Sequence, residues 1–272
     1  MELGLKNRRA IVFGGSRGIG KAIARALAEE GVDLAIAARD AARLDASAAE
    51  LAAATGRRIL PMVCDVTDRA QVDATVNGAA EALGGLHILI NSGSAPGGSA
   101  TAIGYIDTVV DEDLLEDFNV KYVGALRCAR AAIPHLQKAG WGRIINISGL
   151  NARIAGNLSG GARNTSLVHL TKTLANQLGR SGITVHCIHP GITRTERTPG
   201  MLAARAEKAG TTPEAVEAAD YARGAPRANA IGRMVDASEI ADVATFLCSD
   251  KAWCLTGETI AADGGGGTAV YY

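Results

Sequence analysis

The chain has 272 residues, and its 28 lysine and arginine residues balance 28 aspartate and glutamate residues. This balance gives no overall positive field to favour nucleic acid or an anionic membrane surface, and no apolar run approaches the ~18 residues of a membrane span. The five cysteines are scattered without the spacing of a metal site, which predicts reduced cysteines in a cytoplasmic protein without a bound metal.

Short apolar runs alternate with alanine-rich helical stretches, a pattern typical of βαβ units and a parallel sheet. The predicted strands are Arg9 to Phe13, Asp33 to Ala38, Arg58 to Val63, His87 to Ile90, Arg143 to Ile147, Thr184 to Ile188 and Thr259 to Ala262. The predicted helices are Gly18 to Glu30, Arg43 to Ala54, and three that begin near Gln71, Leu114 and Ser166. The length fits one α/β domain, 1–272, with a doubly wound parallel sheet flanked by helices.

The least regular segment of the chain runs from Thr193 to Ala230 and contains three prolines. A compact domain normally has a short connection at such a place, and long insertions are often lids or binding loops. We therefore expect a substrate lid at 193–230. The apolar end of the tail, Ala269 to Tyr272, is predicted either to fray or to dock on a neighbouring subunit.

A glycine-rich turn follows the first predicted strand and opens the first helix. Its glycines permit a tight turn and the close approach of the backbone to a pyrophosphate, which the helix N-terminus stabilises. The sequence therefore predicts cofactor phosphate binding, with a plain structural turn as the alternative. The residues expected to bind are Gly14, Ser16, Arg17, Gly18, Ile19 and Gly20.

The spacing Gly14-x-x-x-Gly18-x-Gly20 resembles the loop of the short-chain dehydrogenase/reductase family. Further segments extend the resemblance over nearly the whole chain: Cys64 to Asp68, Asn91 to Ser94, Phe118 to Val120, Ile145 to Ser148, Pro190 to Thr195, Gly232 to Met234 and Thr256 to Gly265. The resemblance implies a Rossmann-like fold, a nicotinamide-dependent oxidoreductase and a homodimer or homotetramer. It also implies cofactor contacts by Asp65, Val66, Asn91, Gly93, Pro190, Gly191, Ile192 and Thr195.

The choice of cofactor is predicted from charge after the second strand. Family members that prefer NAD place an acid there, which accepts the ribose hydroxyls, whereas this chain has Ala38 followed by Arg39. Arg39, with Arg17 in the glycine loop, could bind a 2′-phosphate through charge-assisted hydrogen bonds. The sequence therefore favours NADP(H) over NAD(H), unless both arginines are only solvated surface charges.

The Tyr-x-x-x-Lys pair on which the family's chemistry depends has no counterpart here. No tyrosine occurs within 123–220 and no lysine within 139–171. Counting back from Lys172, which matches a family segment, puts Gly160 at the tyrosine position and Asn164 at the lysine position. Because general acid–base catalysis contributes roughly 10²- to 10⁴-fold in rate, ordinary ketone reduction by the family mechanism is in doubt.

Four residues are predicted to form what remains of a catalytic site. Ser148 matches the family's serine and Asn119 its asparagine, although Ser148 could simply end a buried strand and Asn119 could simply brace its helix. Asn164 can hydrogen-bond a ribose. His189 lies at a strand end near the expected nicotinamide, where an imidazole could titrate near neutral pH. Weaker candidates are Arg163, His169, Arg194, Arg197 and Tyr221.

Three classes of function are consistent with these residues. The first is an NADP(H)-dependent oxidoreductase with a rebuilt proton-donor site, acting on a small carbonyl, hydroxyl or conjugated alkene. The second is a lyase, isomerase or hydrolase that reuses the cleft without redox chemistry. The third is an inactive nucleotide-binding or regulatory homologue. The retained nicotinamide loop, Pro190 to Thr195, favours the first class.

Overall fold

Seven parallel strands form the central sheet of the protein, whose computed structural model describes residues 1–94 and 97–267. The strands in chain order are β1 (Arg9–Phe13), β2 (Asp33–Ala38), β3 (Ile59–Val63), β4 (Ile88–Asn91), β5 (Gly142–Ile147), β6 (Ile183–Pro190), β7 (Thr193–Arg194), β8 (Val235–Asp236) and β9 (Glu258–Ala262). The large sheet has the order β3-β2-β1-β4-β5-β6-β9, while β7 and β8 form a separate parallel pair. The predicted doubly wound α/β fold is confirmed.

Helices cover both faces of the sheet. They are α1 (Gly18–Glu29), α2 (Ala41–Thr55), α3 (Arg69–Leu83), α4 (Asp111–Phe118), α5 (Gly124–Ala139), α6 (Leu158–Leu178), α7 (Thr198–Ala209), α8 (Pro213–Asp220) and α9 (Ala237–Cys248). A π-helical segment, Asn119–Val123, joins α4 to α5 without a break. Within the described ranges, no helix is both long and apolar enough to cross a membrane.

The core has two layers because successive residues of a strand point to opposite faces of the sheet. In β1, Ala10 and Val12 pack with α1, α2 and α9 on one face. Ile11 and Phe13 pack with α3, α5 and α6 on the other. Every residue of β1 after Arg9 is buried, as expected for a central strand of a parallel sheet.

The structure differs from the sequence prediction mainly at the start of α6 and in the segment 193–230. Helix α6 begins eight residues before the predicted Ser166, since the Asn157 side chain accepts a hydrogen bond from the Gly160 amide and starts the helix there. The irregular segment 193–230 contains α7 and α8. Its prolines Pro199 and Pro213 lie in the first turns of those helices, where a missing N–H costs little. Ala269 to Tyr272 lie outside the described residues.

Candidate functional site

A cleft lies at the carboxyl ends of the strands, where the strand order reverses between β1 and β4. Sheets of this type bind ligands at such reversal points. The cleft has a volume of about 1160 Å³, above the ~300 to 1000 Å³ of an ordinary small-molecule site. The sequence-predicted site residues that line it are Gly14, Ser16, Arg17, Gly18, Ile19, Gly20, Arg39, Asp65, Val66, Gly93, Ser148, Asn164, Pro190, Gly191, Ile192 and Thr195.

The glycine-rich turn forms one wall of the cleft. Gly14 has a φ of +77°, which a residue with a side chain rarely adopts. A Cβ atom on Gly20 would overlap the carbonyl oxygen of Gly14, so the turn and the first helical turn pack without room for a side chain. The Ser47 hydroxyl donates a 2.8 Å hydrogen bond to the Ser16 carbonyl oxygen and fixes the turn from behind. The backbone therefore faces the cleft.

A carboxylate from a distant loop lies at the N-terminus of α1. The Gly18 amide is 3.1 Å from each of the two carboxylate oxygens of Glu196. Helix α1 has no acidic residue in its first turn, and its N-cap residue Arg17 makes no side-chain capping bond. The positive end of the helix dipole favours an anion at this position. The end of α1 is thus an anion site, and Glu196 supplies the anion.

The far end of the cleft, beyond the carboxyl end of β2, is basic. Arg17, Arg39 and Arg43 line it together with Asp40 and Asp65. Arg39 is 73% exposed and lies 4.0 Å from the Asp65 carboxylate, so solvent screens this weak ion pair. The Arg39 guanidinium is therefore available to a ligand phosphate.

Asn91 lies beneath the cleft rather than in its lining. Its side-chain amide donates a 2.9 Å hydrogen bond to Asn146 on β5, and Asn146 donates one of 2.9 Å to the Thr171 hydroxyl on α6. All three residues are buried. This chain of hydrogen bonds ties β4, β5 and α6 together under the site.

Ser148 and Asn164 meet at the end of β5. The Ser148 hydroxyl donates a 3.0 Å hydrogen bond to the backbone carbonyl oxygen of Asn164. The Asn164 side chain is buried beside Gly149, and its Oδ1 atom has no hydrogen-bond partner among the described residues. The arrangement leaves a polar amide at the cleft wall that could hydrogen-bond a ligand hydroxyl.

Lys121, which the sequence analysis did not select, enters the cleft beside these two residues. Only 7% of Lys121 is exposed, and its Nζ atom donates a 3.1 Å hydrogen bond to the Ser148 carbonyl oxygen. Burial and the nearby charge of Arg163 lower the pKa of this amine from 10.5 to about 7. The amine can thus gain or lose a proton near neutral pH.

Asn119, the predicted catalytic residue on the same helical segment, lies outside the cleft lining. Its side chain donates to the Glu116 carboxylate at 3.2 Å and accepts from Arg127 at 2.9 Å. These hydrogen bonds join Asn119 to residues before and after it on the same helical run. The sequence contains a signal for Lys121, a lysine inside an apolar segment of a predicted helix, but its direction depends on the π-helical turn.

His189 is buried within β6, with 1% exposure, and is not in the cleft lining. Its Nδ1 atom has no hydrogen-bond partner among the described residues. Burial, together with the charges of Arg153 and Lys121, lowers the pKa of His189 to about 4. The imidazole is therefore neutral at physiological pH and does not titrate near neutrality as expected from the sequence.

The weaker candidates are distributed between the cleft and the surface. Tyr221, at the end of α8, lines the cleft with a buried hydroxyl that has no partner among the described residues. Arg163 also lines it and interacts with the buried Asp117. His169 is exposed on α6, and Arg194 is paired with acidic residues. The cleft lining thus includes the phenol of Tyr221 and the guanidinium of Arg163.

Gly160, counted to the family's tyrosine position, leaves no free space for a side chain. A Cβ atom there would lie 2.8 Å from the side-chain Nδ2 atom of Asn151 and 2.8 Å from the Cγ atom of Asn157. The two asparagine side chains occupy the volume next to α6. Restoring a tyrosine at this position would require both of them to move.

Nearly the whole chain matches known oxidoreductases. Residues 14–266 match the family described as enoyl-(acyl carrier protein) reductase. The short-chain reductase protein NovJ of Streptomyces niveus is 32% identical over 257 residues, which cover 94% of this chain and 92% of NovJ. L-sorbose reductase from Gluconobacter frateurii, solved with NADPH and L-sorbose, is 28% identical with a TM-score of 0.90 and covers 99% of this chain and 100% of its own. YwfH, an NADPH-dependent reductase involved in bacilysin biosynthesis, is 29% identical with a TM-score of 0.83, covering 97% and 99%. The chain therefore belongs to the short-chain dehydrogenase/reductase family of NAD(P)-dependent oxidoreductases.

Proposed function

We propose that the protein is an NADP(H)-dependent oxidoreductase with a non-standard proton-donor site that acts on a small carbonyl, hydroxyl or conjugated alkene substrate. The observation that carries the proposal is that one cleft contains both a half suited to a dinucleotide and a half suited to a small substrate. The glycine-rich turn and the basic end form one half of the cleft, and the polar groups of α6 belong to the other. The loop residues Pro190 to Thr193 and Thr195 also line the cleft, with the Thr195 side chain beside Gly18. A nicotinamide cofactor, when bound, supplies or accepts the hydride.

The residues of the first half fit a dinucleotide. The N-terminus of α1 already holds a carboxylate on the Gly18 amide, so it is suited to phosphate oxygens. Arg39 and Arg17 supply positive charge where a 2′-phosphate would be expected. Of the structural relatives, L-sorbose reductase was solved with NADPH and YwfH is an NADPH-dependent reductase. These features support NADP(H) over NAD(H).

The second half of the cleft supports a small, partly apolar substrate. Met201 and Leu202 of α7 and Tyr221 after α8 line this half. The basic side chains Arg205 and Arg227 also line it, and each pairs with an acidic residue. We propose that the segment 193–230, which carries all five residues, acts as the substrate lid.

Calorimetry with NADPH and NADH, run on the wild type and an Arg39→Ala variant, tests the cofactor assignment. If Arg39 makes a charge-assisted hydrogen bond to the 2′-phosphate, its loss should weaken NADPH binding by roughly 10- to 100-fold, as about 1.5 to 3 kcal/mol implies. NADH binding should not change. The matched control is Arg25→Ala, which removes an exposed arginine of α1 paired only with Glu29 among the described residues.

Loss of NADPH absorbance with a panel of small ketones, aldehydes and enones tests the reaction itself. Turnover with any of them would support the oxidoreductase. Binding of NADPH without turnover of any compound would favour the inactive nucleotide-binding homologue. Failure to bind either nucleotide would contradict the proposal.

A further inference from the structure

We propose that Lys121 is the proton-transferring residue of this cleft: its ammonium protonates the substrate oxygen during reduction, and its amine accepts that proton during oxidation. The inference rests on the proposed function, because it needs a hydride-transfer reaction in this cleft. It assigns a chemical role to a residue on the π-helical segment between α4 and α5, away from Gly160 and Asn164 on α6, the positions to which the family's Tyr-x-x-x-Lys pair maps.

The position of Lys121 relative to Asn164 carries the first step. Both residues line the cleft, and both are held to Ser148 at the end of β5. Lys121 donates to the Ser148 carbonyl oxygen, and the Ser148 hydroxyl donates to the Asn164 carbonyl oxygen. Lys121 therefore brings an amine from the neighbouring helix to the place where position 164 has only a neutral amide.

The geometry also leaves Lys121 free to donate. An ammonium group has three N–H donors, and the described residues provide Nζ with one hydrogen-bond acceptor, the Ser148 carbonyl oxygen. The side chain is otherwise buried and lines the cleft. A substrate oxygen in the cleft would thus meet a donor that is already oriented.

The surroundings keep the amine easy to deprotonate. The charged or titratable groups that face Lys121 are Arg163 on α6 and Cys187 and His189 on β6. His189 is neutral, and burial raises the pKa of the Cys187 thiol to about 11, so both lack charge near pH 7. The nearby Asp117 carboxylate accepts hydrogen bonds from Ser99 and Ser159 and lies beside Arg163. With a pKa of about 7, Lys121 is near the value at which proton transfer is most efficient.

The reaction balances with Lys121 as the one protein group that changes its protonation state. In the reducing direction, the carbonyl carbon gains a hydride from the reduced nicotinamide, the C=O double bond becomes a C–O single bond, and the oxygen takes a proton from the Lys121 ammonium. The products are the alcohol, the oxidised cofactor and a neutral amine, which water then reprotonates. The oxidising direction is the reverse.

Three variants separate proton transfer from other roles. Lys121→Met removes the proton, and Lys121→Arg keeps a positive charge that cannot be given up near neutral pH. Both should lower kcat by about 10²- to 10⁴-fold while changing the NADPH dissociation constant by less than about 3-fold. Lys138→Met, an exposed lysine near the end of α5, is the matched control and should retain full activity.

A carbon-13 NMR titration of the lysine Cε resonances supplies a test that does not depend on turnover. The Lys121 resonance, assigned by its absence from Lys121→Met or by its shift on adding NADP⁺, should titrate near pH 7. Retained turnover in Lys121→Met, or a set of Cε resonances in which none titrates near pH 7 and none responds to NADP⁺, would overturn the assignment of Lys121 but leave the oxidoreductase proposal intact. Wild type that binds no nucleotide would overturn both.

Discussion

Replacement of Glu196 by glutamine is expected to tighten NADPH binding. In the structure, the Glu196 carboxylate holds the Gly18 amide at 3.1 Å through both of its oxygens. A cofactor pyrophosphate needs the same helix N-terminus. Binding must therefore displace this carboxylate or place two negative charges close together. The glutamine side chain keeps the size of the glutamate and removes its charge.

The magnitude follows from the position of the charge. A negative charge at a helix N-terminus stabilises by about 0.3 to 1 kcal/mol when exposed and up to about 2 kcal/mol in a favourable site. Glu196 is exposed, but it contacts the helix end directly. We expect the variant to bind NADPH about 5- to 30-fold more tightly, as a gain of about 1 to 2 kcal/mol implies. The free protein should lose up to about 1 kcal/mol of stability, because the helix end loses its anion.

Calorimetric titration with NADPH and thermal unfolding of the free protein measure both effects. Glu207→Gln is the matched control, since it removes the same charge from the exposed surface of α7 and should change neither quantity. Unchanged or weaker NADPH binding in Glu196→Gln would refute the reasoning that the carboxylate and the pyrophosphate compete for one site.

Two further outcomes concern stability. Burial lowers the pKa of Lys121 from 10.5 to about 7, so between these values the unfolded chain binds more protons than the folded protein, and wild-type stability rises with pH. Lys121→Met removes this titration. Measured by urea unfolding, the free energy of unfolding of Lys121→Met minus that of the wild type should therefore fall by about 4 kcal/mol between about pH 6 and pH 10. The same dependence on pH in both proteins would contradict the burial of the charge. Gly160→Ala should lower the free energy of unfolding by about 1 to 2 kcal/mol, because its Cβ would lie 2.8 Å from Cγ of the capping residue Asn157. Gly161→Ala, whose Cβ would have an ordinary 3.5 Å contact, should be neutral or stabilising by up to about 1 kcal/mol in the same urea unfolding measurements. A Gly161→Ala variant less stable than Gly160→Ala would contradict the packing.

The fold could be predicted because its signals are local. Buried parallel strands are continuous apolar runs. The turn between β1 and α1 needs glycines at fixed spacing, and all of them lie within seven residues, Gly14 to Gly20. The helices of segment 193–230 could not be recognised in the same way. A proline interrupts a helix at most positions but is favoured in the first turn. The residues around Pro199 and Pro213 do not indicate that each of these prolines begins a helix.

The candidate site was predictable only where it is formed by the backbone. The side chains that matter most depend on contacts between distant parts of the chain. Glu196 meets Gly18 across 178 positions, and no spacing in the sequence joins them. Lys121 was passed over for Asn119, since on a regular helix the two side chains point in directions about 200° apart and the resemblance favoured the asparagine. Tertiary structure decides which of them faces the cleft.

The number of residues in the π-helical segment Asn119–Val123 determines which side chain of this segment faces the cleft. Such a segment holds one residue more than the α-helical turn it replaces. Deleting a single residue there would restore α-helical hydrogen bonding and rotate everything before it by about 100° relative to α5. In evolutionary terms, gain or loss of one codon, without any substitution, would be enough to exchange an amine in the cleft for a different side chain.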